Sequence, residues 1–273
     1  MFDHRKSALA VLAVAFGMVL SGTDRTAGSA PVSPARAPVY HGHMVVDDLA
    51  LPRVAGLLAS GRPIRIVAFG SSSTEGAGAT SRAAAYPARL ETELNRALAN
   101  TSTVTVLNHG VGGEHAEDML ARLERDVLAA KPDLVIWQTG SNDPLRGVPL
   151  ERFTELTRLG LERMRAAGID VMLMEPQWCP ALEAAAGADL YRDALRVLGA
   201  ELRVPVIRRT DLMRRWVEDK RIPMERLLAA DGLHMTDASY ALLAADMAKD
   251  VLLRATRAHP GTPTASRGAR TSL

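Results

Sequence analysis

Residues 66–80 read IVAFGSSSTEGAGAT, an apolar run that stops at a glycine and continues into three serines and a threonine. The run belongs to a strand-length apolar segment, residues 64–69, and a segment with helical periodicity follows at residues 86–98. Continuously apolar strands that are separated by helices are typical of a parallel sheet covered on both faces. The stretch therefore predicts a strand, a turn and a helix of an α/β fold.

The same alternation continues along the chain. Strand-length apolar runs follow at residues 104–107, 134–137, 171–174 and 204–207. Helical periodicity marks residues 116–130, 150–167, a stretch around 182–202 and a final helix over 237–256. An amphipathic helix that ends at Gly61, with Pro52 near its first turn, precedes the first strand. We therefore predict a three-layer α/β/α sandwich around a central parallel sheet of about five strands.

The two ends of the chain differ from this alternating part. Residues 1–30 begin with Arg5 and Lys6, and their apolar run at 8–20 is shorter than the roughly 20 residues that span a bilayer. This order predicts a secretory signal and export to a periplasm or beyond, with no stable membrane span after its removal. Residues 31–46 are predicted to be a linker, 47–257 the folded domain and 258–273 a disordered tail.

Two points about the leader stay open in the sequence. Residues 1–30 could instead be a buried helix of the domain itself, and cleavage could follow either Gly22 or Ala30. The single Cys179 allows no intramolecular disulfide, and a buried structural thiol is the favoured interpretation. The neighbouring Trp178 is a candidate for an acyl or sugar pocket.

Charge balance excludes one class of partner. The 33 basic and 31 acidic side chains nearly cancel, and no block of Lys or Arg occurs in the chain. Nucleic-acid binding requires a clustered positive surface, so nucleic acid is not an expected partner.

Polar residues follow the predicted strands where a parallel sheet places its ligands, at the carboxyl ends. The four polar motifs are GSSST at 70–74, NHGVGG at 108–113, TGSND at 139–143 and DGLH at 231–234. Each motif taken singly is explained by ordinary turn chemistry. Together they offer serine hydroxyls, two candidate oxyanion donors and an Asp/His pair, which is the set that acyl transfer needs.

The candidate groups differ in what they offer. Asp231 precedes His234 by three residues, a spacing that can bring a carboxylate to an imidazole. Asn142 has a side-chain amide that donates hydrogen bonds, and Gly113 leaves a backbone N–H open to a ligand. Asp143 could instead cap the turn that follows it. The residues alone leave open which of the three serines acts.

Metal and cofactor sites are not indicated. His109 and His115 flank the glycines of NHGVGG but lack a nearby carboxylate or cysteine set with ligand spacing. A dinucleotide-binding motif fails because the sixth position counted from Gly110 is His115, and no Lys follows as in a P-loop. We therefore predict no metal and no cofactor.

The four motifs, in this order and spacing, resemble the sequence blocks of the SGNH hydrolases, also called GDSL-type esterases and lipases, over residues 63–253. The resemblance implies a flavodoxin-like fold with Ser72 as nucleophile and His234 as general base oriented by Asp231. It also implies an oxyanion hole formed by the N–H groups of Ser72 and Gly113 and the amide of Asn142.

One departure from the family pattern concerns the first block. Ser71 stands where the family usually has Asp, and Ser73 stands where it usually has an apolar residue. Neither position has a chemical role in the family, so activity is not excluded. The family pattern places the nucleophile at Ser72, and identical side chains flank it at positions 71 and 73.

The resemblance implies hydrolysis of a carboxylic ester through an acyl-enzyme intermediate. An O-acetylated glycan or a short-chain acyl ester is the favoured substrate, and a lysophospholipid or thioester is the alternative. A second alternative is a non-catalytic module that binds a glycan or lipid on the same fold. The sequence names neither the residues that bind substrate nor the oligomeric state.

Overall fold

A computed structural model describes residues 49–99 and 101–258. The predicted leader at 1–30, the linker at 31–46 and the tail from residue 259 onward lie outside the described residues. The strands are β1 (Ile64–Gly70), β2 (Val104–Gly110), β3 (Leu134–Gln138), β4 (Asp170–Met174) and β5 (Val206–Ile207).

Helices connect the strands. They are α1 (Pro52–Ala59), α2 (Ser72–Glu75), α3 (Tyr86–Leu98), α4 (Ala116–Leu123), α5 (Asn142–Leu145), α6 (Leu150–Ala166), α7 (Pro180–Ala184), α8 (Ala188–Leu202), α9 (Arg209–Glu218) and α10 (Asp237–Arg257). Short 3₁₀ turns occupy Arg82–Ala84 and Met224–Arg226, and α4 continues as a π-helical turn at Glu124–Leu128.

All strand pairs are parallel, and the strand order is β2-β1-β3-β4-β5. The order reverses at β1, which pairs with β2 on one side and with β3 on the other. Connections after β1 and β3 therefore leave on opposite faces, and a crevice opens between them at the carboxyl edge. The expected flavodoxin-like α/β/α fold is confirmed.

Side chains alternate between the two faces of the sheet, as the pleat requires. On β3, Leu134 and Ile136 pack against α1, α3, α9 and α10, whereas Val135 and Trp137 pack against α4, α6 and α8. Both faces are therefore covered, which explains why this strand reads as a continuous apolar run.

Some boundaries differ from the sequence prediction. Helix α9 was not predicted, because its ten residues include three arginines, although Met213 and Trp216 are buried on one face. The predicted helix around 182–202 is divided into α7 and α8 by Gly187, whose φ is +72°. β2 continues to Gly110, three residues beyond its last predicted residue. No helix in residues 49–99 or 101–258 combines the length and apolar character needed to cross a bilayer.

Candidate active site

Ser72 lies at the first turn after the central strand. β1 ends at Gly70, and α2 begins at Ser72. Ser71 and Ser73 are 2% and 1% exposed, whereas Ser72 is partly exposed. Of the three adjacent hydroxyls, that of Ser72 is the accessible one. The burial pattern thus favours Ser72 over its two neighbours as the candidate nucleophile.

His234 and Asp231 meet Ser72 from the loop that precedes α10. Nε2 of His234 lies 2.8 Å from Oγ of Ser72, and Nδ1 of His234 lies 2.6 Å from Oδ2 of Asp231. An ionised carboxylate only accepts hydrogen bonds, so Nδ1 carries the proton and Nε2 is free to accept the Ser72 hydroxyl proton. The three residues that sequence reasoning selected are brought together.

The backbone also holds Asp231 in place. Its Oδ1 accepts hydrogen bonds from the N–H groups of Leu233 and His234, both at 2.9 Å. Burial by itself would raise the pKa of Asp231, but the hydrogen bonds from the His234 side chain and from these N–H groups outweigh it. They lower the pKa to about 2, so the carboxylate stays ionised above the acid range.

Gly78 lets a neighbouring loop approach the histidine. Its φ is +82°, and a Cβ at this position would lie 2.9 Å from Cβ of His234 and 2.5 Å from the Met235 carbonyl oxygen. A side chain would push the histidine loop away. Sequence reasoning did not select Gly78, although the Gly-x-Gly spacing just after the serine turn was a visible signal.

Two backbone N–H groups and one side-chain amide are the candidate oxyanion donors. Neither the N–H of Ser72 nor that of Gly113 has a hydrogen-bond partner within residues 49–99 and 101–258. Nδ2 of Asn142 donates one hydrogen bond to the Glu114 carbonyl at 2.7 Å, which orients the amide and leaves its second hydrogen free.

Asp143 does not cap its own turn, as the sequence allowed, but the helix after the preceding strand. The Ala116 N–H at the start of α4 donates to Oδ1 of Asp143 at 3.0 Å. Asp143 is fully buried, and burial raises its pKa above the usual range. The loop with Gly113 and the loop with Asn142 are therefore joined by two hydrogen bonds, one donated by Asn142 and one accepted by Asp143.

Arg122 connects the ends of β1 and β2. Its guanidinium donates to the carbonyls of Gly70 at 3.1 Å and His109 at 3.0 Å, and to the Glu114 carboxylate at 2.7 Å. It also lies 4.4 Å from the centre of the Phe69 ring. Sequence reasoning missed Arg122, because an arginine in an amphipathic helix ordinarily faces solvent.

Two charged side chains flank the glycines of the second motif. A Cβ on Gly113 would lie 3.0 Å from Nη2 of Arg146, and a Cβ on Gly112 would lie 2.7 Å from Oε2 of Glu75. Arg146 and Glu75 are exposed, and neither side chain has a hydrogen-bond or ion-pair partner in the described part of the chain. A Cβ on Gly112 would also lie 4.0 Å from Cβ of Ser72, so this glycine segment lies next to the candidate nucleophile.

Residues 37–257 match the family model described as the non-GDSL lipase-like family. The chain belongs to this family. The matched region contains all five strands and all candidate residues, and the resemblance to SGNH hydrolases is confirmed. Ser71 in place of the usual Asp is consistent with the description "non-GDSL".

Known proteins share both the fold and parts of the sequence. A lipase/acylhydrolase from Enterococcus faecalis has a TM-score of 0.57 and 28% identity, covering 70% of this chain and 96% of that one. A two-domain esterase active on acetylated mannans has a TM-score of 0.64 and 22% identity, covering 78% of this chain and 56% of its own. The second likeness is one of fold.

A curated relative is the uncharacterized lipoprotein YqeF of Bacillus subtilis (strain 168). It is 32% identical over 138 residues, which are 48% of this chain and 56% of that protein. The chain thus spans about half the length of this relative.

The structure places Cys179 and Trp178 away from solvent to different degrees. Cys179 is 2% exposed, and burial raises the pKa of its thiol, as a structural role requires. The Trp178 ring lies 5.4 Å from the Arg214 guanidinium and is partly buried against the core.

Across the described residues, no group of three or more His, Cys, Asp or Glu side chains is placed to hold a metal ion.

Gln138 is the partner of Ser71, which stands where the family usually has Asp. Oε1 of Gln138 accepts hydrogen bonds from the N–H of Ser71 at 2.9 Å and from its hydroxyl at 3.1 Å. Oε1 also accepts from Thr74 at 3.1 Å. A carboxylate at position 71 would face this acceptor oxygen, and the described contacts bring no basic side chain to that hydroxyl.

We predict that Ser71→Asp, which restores the common family residue, destabilises this chain by about 3 kcal/mol because it buries an uncompensated carboxylate. Ser71→Ala is the matched control and removes one neutral hydrogen bond at a cost of about 1 kcal/mol. Denaturant unfolding of the three proteins measures both values. A Ser71→Asp protein as stable as the parent would contradict this account of the motif.

Proposed function

We propose that this protein is a serine esterase that hydrolyses a carboxylic ester through an acyl-enzyme intermediate. The observation that carries the proposal is the continuous hydrogen-bonded series from Asp231 through His234 to the accessible hydroxyl of Ser72, at 2.6 and 2.8 Å. The N–H groups of Ser72 and Gly113, which have no partner among the described residues, and the oriented amide of Asn142 are the candidate anion donors. Nucleophile, base and anion donors are the groups that acyl transfer requires.

In the proposed reaction, Ser72 Oγ attacks the ester carbonyl carbon while His234 Nε2 takes its proton. The carbonyl oxygen becomes an oxyanion that accepts hydrogen bonds from the N–H groups of Ser72 and Gly113 and from Asn142. His234 then gives the proton to the leaving alcohol oxygen, and the carbon–oxygen bond to the alcohol breaks. A water molecule then attacks the acyl carbon while His234 Nε2 takes its proton. The bond between that carbon and Ser72 Oγ breaks, His234 returns the proton to Oγ, and the acid is released.

Asp231 has an electrostatic role in this scheme. Its low pKa keeps Asp231 anionic, so it stabilises the imidazolium that forms on His234 in each step. The two N–H donations to its Oδ1 hold the carboxylate in the plane that Nδ1 needs.

We propose an O-acetylated glycan or another short acyl ester as the substrate. The charged side chains of Arg146 and Glu75 support a polar alcohol portion rather than a long alkyl chain. A cavity of about 440 Å³ at the same edge of the sheet has charged walls, formed in part by Glu183, Asp189, Arg192 and Arg214, but none of Ser72, Asp231 and His234 lines it. The charged side chains beside Gly112 and Gly113 match a carbohydrate better than a lipid tail.

Export is part of the proposal. The charged start and short apolar run of the leader support it, as does the similarity to a protein named as a lipoprotein. We expect the chain recovered from the producing cell to begin after Gly22 or Ala30, as read by N-terminal sequencing. A cytosolic chain that still begins with residue 1 would contradict export.

The enzymatic assignment is tested by a fluorophosphonate label, which reacts with activated serines. We expect labelling of the native protein, with the modified peptide mapping to Ser72, and a loss of kcat/KM of at least about 10⁴-fold in Ser72→Ala. Ser73→Ala is the matched control and should retain labelling. Absence of labelling would favour the non-catalytic binding module, and labelling of Ser71 or Ser73 would contradict the choice of nucleophile.

The substrate class is tested by p-nitrophenyl esters that share one alcohol and differ in acyl length. We expect kcat/KM for the acetate to exceed that for the decanoate by about tenfold or more, because charged walls do not receive an alkyl chain. A preference for the decanoate would instead support the lysophospholipase or thioesterase alternative.

A further inference from the structure

A row of buried polar side chains lies beneath the candidate site and connects its separate loops. The members are Gln138, Ser141, Gln177 and Arg209, each between 0% and 6% exposed. They come from the ends of β3 and β4 and from the start of α9. None of them is hydrogen-bonded to the side chain of Ser72, Asp231 or His234 within the described chain.

At one end the row holds the turn that precedes the nucleophile. Oε1 of Gln138 accepts the Ser71 N–H, and Nε2 of Gln138 donates to Oγ of Ser141 at 3.2 Å. The Ser141 hydroxyl in turn donates to Oε1 of Gln177 at 3.2 Å. The peptide between Gly70 and Ser71 is therefore connected to Gln177 through buried side chains alone.

At the other end the row holds the peptide that carries the histidine. Nε2 of Gln177 donates to the Leu233 carbonyl oxygen at 3.3 Å. The same peptide unit has the His234 N–H at its opposite edge, and this N–H donates to Oδ1 of Asp231. Rotation of that peptide would weaken the contact with Gln177 and the contact with Asp231 together.

Arg209 determines which way the Gln177 amide faces. Its Nη2 donates to Oε1 of Gln177 at 2.8 Å, and its Nε donates to the Glu175 carbonyl at 2.8 Å. A guanidinium can only donate, so it requires the amide oxygen of Gln177 on its own side and leaves Nε2 for Leu233. Burial lowers the pKa of Arg209 to about 10, and the group therefore stays charged at neutral pH.

We propose that Gln177, oriented by Arg209, is a positioning residue that sets the placement of His234 relative to Ser72. The inference rests on the proposed esterase function and deepens it. Gln177 touches neither the nucleophile nor the imidazole, so its effect passes through the Leu233–His234 peptide and through Ser141 and Gln138. Displacement of a catalytic base by about 1 Å can lower a rate about 100-fold. A contact that fixes the position of His234 therefore has a measurable effect on kcat.

Two substitutions separate this role from simple packing. Gln177→Met keeps the length and removes every hydrogen bond. Gln177→Glu keeps an acceptor for Arg209 and Ser141 but loses the donor to the Leu233 carbonyl, and its charge is compensated by the guanidinium. Thr157→Val is the matched control, because Thr157 is fully buried and makes its hydrogen bond to the Phe153 carbonyl within α6, outside the row.

The readouts are kcat and KM for p-nitrophenyl acetate, the rate of fluorophosphonate labelling, and the thermal midpoint. We expect kcat and the labelling rate to fall about 10- to 100-fold in both Gln177 variants, with KM changed by less than about twofold. Gln177→Glu should keep a thermal midpoint near that of the parent. Thr157→Val should keep the parent kcat even where its midpoint falls.

The results distinguish failure of the positioning role from failure of the esterase function. If kcat follows the thermal midpoint across all three variants, or if both Gln177 variants keep the parent kcat, the positioning role is wrong while the esterase function stands. A rise in KM with unchanged kcat would make Gln177 a substrate contact and would also overturn the inference. A parent protein that neither hydrolyses esters nor reacts with the label would overturn the proposed function, and this inference with it.

Discussion

The loops that form the candidate site leave a parallel sheet at one edge, where no ladder of backbone hydrogen bonds joins one loop to the next. Strand pairing between β1 and β2 stops at their last residues, and beyond that point isolated backbone contacts, such as the Val111 N–H to the Gly70 carbonyl at 3.0 Å, are supplemented by side chains. Arg122 joins the ends of β1 and β2, and Asp143 joins the loops after β2 and β3. Gln177 joins the loop after β4 to the histidine loop. The geometry of the candidate site depends on these contacts.

Burial is what makes such contacts specific. Arg122 and Arg209 are 6% and 0% exposed, so a guanidinium that lost its acceptors could not replace them with water. The alternative arrangements of the loops would leave buried donors without partners, and they are disfavoured for that reason. The carbonyls of Gly70, His109 and Glu175, at or just beyond the carboxyl ends of strands, are acceptors that these arginines use.

The same requirement, that buried polar groups have partners, applies to Ser71, where the chain departs from the family motif. The buried hydroxyl of Ser71 and the amide oxygen of Gln138 are complementary as donor and acceptor, in the place where related proteins usually have an acid. The Ser71 hydroxyl therefore has a neutral partner, whereas Asp231 beside His234 and the exposed Arg146 and Glu75 are charged groups. Of the three serines in this turn, Ser72 is the accessible one.

The sequence by itself determined the α/β alternation, the continuously apolar strands and the polar motifs at strand ends, because these are local patterns of period and turn chemistry. It also brought Ser72 and His234 forward as candidates through the family resemblance. It could not indicate Arg209 or Gln177, since arginine and glutamine in short polar segments ordinarily face solvent. Only the tertiary structure decided that these side chains are buried, and that hydroxyl and imidazole groups 162 residues apart meet at 2.8 Å. Long-range packing sets those distances, and no local pattern in the chain encodes it.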